Sequence, residues 1–230
     1  MTARDDTAFF EGCPLAAGLD PGQRADVLRA GIARRLSRGQ MLFREGEPAE
    51  ALFVVAAGRV RLTRSTPEGR EVIVRLVSPG EPFAAVAALD GKTYPFGAVA
   101  TAPTVVRAWP RPALRALFER LPRLQTNVLD VIGAHARESL DRVRELSTES
   151  VPRRLARALL RLLPRPPGSP AVIAGVTQQE LADLSATTLF TVSRTLTAWE
   201  AQGLVAVARG RLTLRDLARL EALAEGDGDA

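Results

Sequence analysis

The sequence predicts an α+β chain in three parts. Residues 1–110 form an N-terminal antiparallel β-roll of the jelly-roll type with a short helix ahead of it. Residues 111–147 form a short helix and a long one, and residues 148–230 form a compact helical unit closed by a hairpin, ending in an acidic tail. Three observations predict this. From Ile32 to Trp109 short alternating apolar segments are separated by Gly and Pro, as in a sandwich or rolled barrel. From Leu124 to Leu146 no proline interrupts a helical pattern, and beyond Ser150 helical segments give way to two short strands around Arg209-Gly210. A chain of 230 residues with 46% hydrophobic content can build such cores, as one large or two modest domains.

Each element has its own signal. Asp20-Pro21 ahead of residues 24–30 reads as a capped short helix. The clearest strands are 41–44, 52–56, 60–64, 72–77 and 105–109, punctuated by Gly46, Gly58, 66–69 and 78–80. After Pro110 the pattern turns helical, with one helix over 112–120 and another opened by Pro122. The long helix carries two stripes, one of Leu124, Val128, Val131 and His135, the other of Leu129, Ile132, Ala136, Val143 and Leu146. Such a helix covers its own roll with one face and pairs with a second copy through the other. The expected dimerisation set is Leu124, Val128, Val131, Ile132, His135, Val143 and Leu146. A helix wholly buried in a monomer, apolar all round, stays open as the alternative. Residues 147–150 read as a hinge, 151–163 as another helix, and the proline-rich 164–170 as a stiff loop.

The most specific stretch follows. Thr177-Gln178-Gln179-Glu180-Leu181-Ala182-Asp183-Leu184, a break at Ser185-Ala186-Thr187, then Thr188-Leu189-Phe190-Thr191-Val192-Ser193-Arg194 reads as two short helices joined by a tight turn. On the second, Leu189, Val192, Leu196 and Trp199 make a buried stripe, which leaves Phe190 and Arg194 one turn apart on the opposite face. Thr177 and Thr188 are suited to cap their helices, where hydroxyl and open amides accommodate a phosphate oxygen. The segments 203–207 and 211–214 alternate around Arg209-Gly210, which predicts a hairpin wing with a basic tip. This is the pattern of a winged helix-turn-helix that reads DNA. The alternative is an ordinary helical hairpin in a core. Charge favours DNA: residues 151–215 hold nine arginines against Glu180, Asp183 and Glu200, a net of +6, whereas the whole chain carries only +5.

Other classes are disfavoured. No apolar run approaches the roughly 20 residues a membrane span needs, and residues 1–10 lack the basic-then-apolar order of a signal peptide, so a cytosolic protein is expected. One cysteine, Cys13, cannot form an internal disulfide. A metal-dependent enzyme in a β-roll needs two or three converging ligands; this chain has a single histidine, His135, outside the strands and with no orienting acid evident. An enzyme is not expected. Lys92 is the only lysine, a bias that reads as genome composition.

Four motifs in order, Leu42-Phe43-Arg44-Glu45-Gly46-Glu47-Pro48-Ala49, Thr66-Pro67-Glu68-Gly69-Arg70-Glu71, Ser78-Pro79-Gly80-Glu81 and Thr191-Val192-Ser193-Arg194, give a chain that resembles the CRP/FNR family of bacterial transcription regulators from about Leu15 to Leu223. The resemblance implies a cyclic-nucleotide-binding-like roll, a dimerisation helix and a winged helix-turn-helix. It implies a homodimer placing two recognition helices about 34 Å apart on an inverted repeat in double-stranded DNA, a signal passed through the hinge near Ser147, and RNA polymerase as a partner. The second motif and Tyr94-Pro95-Phe96-Gly97-Ala98-Val99-Ala100 are similar to the redox and nitrogen-oxide responsive branch.

Family roles carry over only where residues match. In cyclic-AMP-responsive members a glutamate holds the ribose and an Arg-Ser pair holds the cyclic phosphate; the matching positions are Ala85, Pro95 and Phe96. The base-contacting Thr-Ser pair falls on Ser139-Leu140. Residues 82–100 carry only Asp90 and Lys92 as charges, and burying a phosphate without a cation is costly, so cyclic AMP is not expected to bind. The expected effector pocket comprises Phe83, Ala84, Ala85, Val86, Pro95, Phe96, Gly97, His135 and Ser139. Its occupant stays open among haem with His135 as axial ligand, a hydrophobic metabolite and plain side-chain packing. Cys13 is open between sensor, ligand and inert thiol, and a constitutive DNA-binding regulator with a vestigial sensor remains a rival reading. For DNA the resemblance makes Thr177, Gln179, Thr188 and Thr191 backbone anchors and Arg194 the guanine reader, with Leu189, Ser193 and Arg209 on the same surface. A glutamate that accepts from cytosine is replaced by Phe190, which suits a thymine methyl, and Arg211 is expected on a phosphate.

Overall fold

The computed structural model describes residues 8–67, 69, 71–163 and 171–226. Glu68 and Arg70 of the second motif, the 164–170 loop with Arg165, and residues 1–7 and 227–230 lie outside the described residues. The chain divides into two compact units, Met1–Glu138 and Ser139–Ala230.

The first unit opens with α1 (Ala8–Glu11), a 3-10 turn (Pro14–Ala16) and α2 (Pro21–Ala30). Asp20 caps α2 through a reciprocal box, its carboxylate accepting the Gln23 amide at 2.8 Å while the Gln23 side chain accepts the Asp20 amide at 3.1 Å. The strands follow as β1 (Ile32–Leu36), β2 (Met41–Phe43), β3 (Ala51–Ala57), β4 (Val60–Ser65), β5 (Glu71–Val77), β6 (Pro82–Phe83), β7 (Gly97–Ala100) and β8 (Thr104–Pro110), with α3 (Ala85–Asp90) between β6 and β7. They make two four-stranded antiparallel sheets, ordered β1-β8-β3-β6 and β2-β7-β4-β5, so that, apart from the β4–β5 hairpin, neighbours in sequence alternate between sheets. This is the predicted roll.

Its interior is aromatic. Phe43 stacks on Tyr94 at 3.7 Å between centroids, and Phe53 lies 5.3 Å from Phe83. The Tyr94 hydroxyl accepts from the amides of Glu50 and Ala51, which satisfies the one polar end of that cluster. Gly58 turns β3 into β4 with φ +82°, and a Cβ there would sit 2.5 Å from the Pro103 carbonyl oxygen, so this position requires glycine. On the outside of the roll, Trp109 of β8 donates Nε1–H to the Val27 carbonyl at 2.7 Å and locks α2 in place.

α4 (Arg111–Arg120) and α5 (Pro122–Thr148) follow. The unit boundary falls within α5. Leu124, Val128 and Val131 are buried with Leu114, Leu117 and Leu121 in the first unit's own core, and Asn127 between them donates to the carbonyls of Leu15 and Ala17. These three apolar residues belong to the protomer's core and are corrected out of the expected dimerisation set: a side chain already enclosed has no surface to offer a second chain. Ile132 packs partly against the same core, and His135 is half-buried. The large apolar residues exposed on α5 are Leu129, Leu140, Val143 and Leu146; Leu140, the most exposed at 71%, was absent from the expected set.

The second unit contains the end of α5, then α6 (Val151–Arg161), β9 (Val172–Ala174), α7 (Gln178–Leu184), α8 (Leu189–Ala201), β10 (Val205–Ala208), β11 (Arg211–Leu214) and α9 (Leu217–Glu225). β10 and β11 form the predicted hairpin, and β9 pairs with the far edge of β11. Leu155 and Leu159 of α6, Leu181 of α7, Leu196 of α8 and Leu220 of α9 are all buried.

Leu117 is fully enclosed between α4 and its neighbours. Leu117→Ala is expected to lower the stability of the protein by about 2–5 kcal/mol, read from the midpoint of urea unfolding.

Candidate nucleic-acid interface and effector site

The helix pair α7–α8 is built from its caps. Thr177 Oγ1 accepts the Glu180 amide at 3.1 Å and the Glu180 carboxylate accepts the Thr177 amide at 2.7 Å, a complete capping box. Thr188 Oγ1 accepts the Thr191 amide at 3.2 Å, and the two hydroxyls lie 2.9 Å apart. Between the helices Ala186 takes a left-handed φ of +48°, which costs an L-residue about 1–2 kcal/mol and must be held by its surroundings.

Val192, Leu196 and Trp199 are buried, which turns the other side of α8 outward. Leu189, expected in the buried stripe, is 47% exposed: it opens the first turn, where no neighbour yet covers it. Phe190 is 74% exposed, and the Arg194 guanidinium lies 5.9 Å from its ring centroid, within cation–π range. Gln179 is exposed and donates to Asp183 at 3.0 Å; Ser193 is half-buried beside Arg194. The wing turns at Arg209-Gly210, with Gly210 at φ +69° and both Arg209 and Arg211 exposed. A cleft of about 430 Å³ between the start of α7 and the wing is lined by Thr177, Gln178, Arg209 and Arg211 among others.

The arginine count is redistributed by the fold. Arg153 donates to the carbonyls of Ala224 and Glu225, Arg154 to those of Glu149, Ser185 and Ala186, Arg157 to the Glu149 carboxylate and Arg161 to that of Glu145. These four serve the unit's interior. Arg194, Arg209, Arg211 and Arg215 are exposed.

In the first unit Phe83, Ala84, Ala85 and Gly97 are buried, Phe96 is half-buried, and Val86 and Pro95 are exposed. Ser139 is an exposed residue of the second unit. The structure adds Arg75, which sequence reasoning missed. It sits on β5 directly opposite Leu62, a residue of the interior cluster, and therefore faces the inner side of its sheet. Its guanidinium lies 3.8 Å from Glu81 and 3.7 Å from Glu138. The signal was a lone arginine in the core-facing phase of an apolar strand, Val72-Ile73-Val74-Arg75-Leu76-Val77. Ala85 offers no side-chain carboxylate, Pro95 and Phe96 offer no side-chain phosphate donors, and Arg75 is flanked by two carboxylates.

Burial pushes His135 down to about 4, with Arg75 adding to the shift and Glu138 opposing it. Cys13 is buried, and burial pushes its thiol up to about 12. A thiol kept protonated is inert, which weighs against a sensing role. Among the described residues no group of three or more His, Cys, Asp or Glu side chains is placed to hold a metal, and no helix is long and apolar enough to cross a membrane. A wider cleft of about 870 Å³, lined by Pro48, Glu50, Gly91, Arg111, Arg115 and Glu119 among others, was not foreseen.

A roll of this type followed by a winged helix-turn-helix defines a class, the transcription regulators with a nucleotide-binding-type sensor domain. Residues 33–121 match the cyclic nucleotide-binding domain family and residues 153–223 the Crp-like helix-turn-helix domain family. The chain is 35% identical to the cyclic AMP receptor protein of Thermus thermophilus, over 94% of this chain and 99% of the relative. It is 28% identical to the nitrogen fixation regulation protein FixK of Bradyrhizobium diazoefficiens, over 91% and 89%. The crystal structure of the Thermus thermophilus catabolite activator protein matches with a TM-score of 0.55 at 34% identity, covering 93% of this chain and 99% of that one. The chain belongs to the CRP/FNR family of transcription regulators, which are not enzymes. Because its relatives include both a cyclic AMP receptor and a nitrogen fixation regulator, the likeness fixes the family and not the branch.

His135 has an ordinary value of 6.5 and a folded value of about 4, so between those pH values the unfolded chain takes up a proton that the folded chain refuses. Stability is therefore expected to fall as the pH is lowered from about 6.5 to about 4, and His135→Gln is expected to flatten that part of the profile measured by urea unfolding at each pH.

Proposed function

We propose that the chain acts in the cytoplasm as a homodimer that reads an inverted repeat in double-stranded DNA and thereby recruits or blocks RNA polymerase. The observation that carries this reading is the outward face of α8, where Phe190 and Arg194 stand exposed beside the Thr188 cap and the wing arginines. A guanidinium presented on a helix that fits the major groove can take guanine O6 and N7 together. Phe190 has no acceptor for cytosine and packs instead on a thymine methyl, which supports a half-site with thymine at that step. The stripe Leu129, Leu140, Val143 and Leu146 supports pairing through α5.

The signal in this reading is not cyclic AMP. Ala85, Pro95 and Phe96 lack the ribose and phosphate partners, and the motif kinship of residues 66–71 and 94–100 supports a redox or nitrogen-oxide input in its place. The aromatic packing inside the roll favours one second reading, a regulator that binds DNA without an effector. Gel-shift titration at fixed salt, with and without cyclic AMP, tests both: equal affinity is expected, and a tightening by cyclic AMP would overturn them.

Selection of bound duplexes from a random pool is expected to recover an inverted repeat. Arg194→Ala is expected to weaken the recovered site by about 1–3 kcal/mol and to relax one base pair, whereas Arg211→Ala weakens all sequences alike and lowers the salt slope by about one. Intact discrimination in Arg194→Ala would remove the readout. Val143→Asp is expected to shift sedimentation from dimer to monomer at micromolar concentration without unfolding the protein.

A further inference from the structure

The hinge and the DNA-reading turn are joined by arginines rather than by apolar packing alone. Glu149, between α5 and α6, has a side chain only 1% exposed, with Arg157 at 3.0 Å, Arg144 at 3.3 Å and Arg153 at 3.6 Å around it. Arg154, on the first turn of α6, uses every guanidinium nitrogen. Nη1 donates to the Glu149 carbonyl at 2.7 Å, Nε to the Ser185 carbonyl at 2.9 Å and Nη2 to the Ala186 carbonyl at 3.2 Å. Arg142, near the end of α5, donates to the Leu184 carbonyl.

Leu184, Ser185 and Ala186 are the C-terminus of α7 and the start of the turn into α8. Carbonyls there have no helical partner, and the end of the helix dipole is negative, so a cation satisfies both. Ala186 is also the residue held in the left-handed region. The angle between α7 and α8 is set at this point. An arginine that ties two of its carbonyls to the hinge fixes that angle against the end of α5.

We propose that Arg154, assisted by Arg142, is a positioning residue for sequence reading: it ties the turn between α7 and α8 to the hinge at Glu149, so the attitude of the recognition helix follows the end of α5. This rests on the DNA-reading function above and names the residues that transmit to it. Each guanidinium nitrogen of Arg154 is engaged by a backbone carbonyl of its own unit. Its loss therefore disturbs discrimination more than general attraction to DNA.

The test uses the full-length protein, the duplex recovered by the wild type and a scrambled duplex, at two salt concentrations, together with amide hydrogen exchange. Arg154→Ala and Arg154→Lys are each expected to cut the preference for the recovered duplex by about tenfold or more while leaving scrambled-duplex affinity within about twofold and the salt slope unchanged. Amides of residues 186–191 are expected to exchange at least about tenfold faster while those of α6 and α9 stay protected, the signature of a local opening rather than global destabilisation. Unchanged preference in folded variants overturns the proposal. So does full rescue by lysine with a slope lowered by about one in Arg154→Ala, which would make Arg154 a phosphate contact. If Arg154→Ala melts below the assay temperature, Arg142→Ala is read instead, with a smaller loss of the same kind expected and no loss overturning the brace. A wild type without sequence preference overturns the proposed function itself; the exchange data then judge the brace alone, and unaltered exchange at 186–191 ends it.

Discussion

The burial of Val192, Leu196 and Trp199 along one side of α8 is the constraint on which the rest of the structure depends. Once that stripe is committed to the unit's core, helical geometry leaves Phe190 and Arg194 nowhere to go but outward, one turn apart and close enough for ring and guanidinium to interact. The caps at Thr177 and Thr188 fix where each helix begins, and the left-handed Ala186 fixes how the chain passes between them. A basic, partly apolar surface so produced is suited to base edges in a groove. It would be a poor surface for a protein with no partner.

The first unit follows a different logic. Its two sheets enclose an aromatic cluster, and its outer face is closed by α2, α4 and the first half of α5 through Trp109, Leu117, Leu124 and Val128. The buried residues of α5 are thus occupied within one protomer, while Leu129, Leu140, Val143 and Leu146 are not. That division carries the case for pairing.

Much of this was legible in the sequence, and the misses have physical causes. The strand at 60–64 showed itself by apolar alternation beside Gly58, and those at 52–56 and 72–77 by short runs rich in Val, Ile, Leu and Phe bounded by glycines. β1 did not, because Ala33, Arg34 and Arg35 lie exposed and carry no alternation, and β7 did not, because Gly97-Ala98-Val99-Ala100 is short and made mostly of glycine and alanine, which are depleted in strands. The caps and the buried stripe of α8 were readable because they are local. Leu189 was misplaced because periodicity does not say where a covering neighbour ends. The arginines of α6 were counted as surface charge, since nothing in the local sequence reveals that Glu145, Glu149 and the end of α7 lie within their reach. Arg75 was overlooked for the same reason, its partners Glu81 and Glu138 being near only after folding.

Protection of guanine N7 from methylation, mapped along the duplex that the wild type selects, addresses the central claim most directly because N7 lies in the major groove. Two protected guanines related by the two-fold of the site and separated by about one helical turn, roughly 10 base pairs, are the result the account requires, both becoming reactive when Arg194 is replaced by alanine. A complex in which every guanine stays reactive, or in which the same guanines remain protected without Arg194, would contradict it.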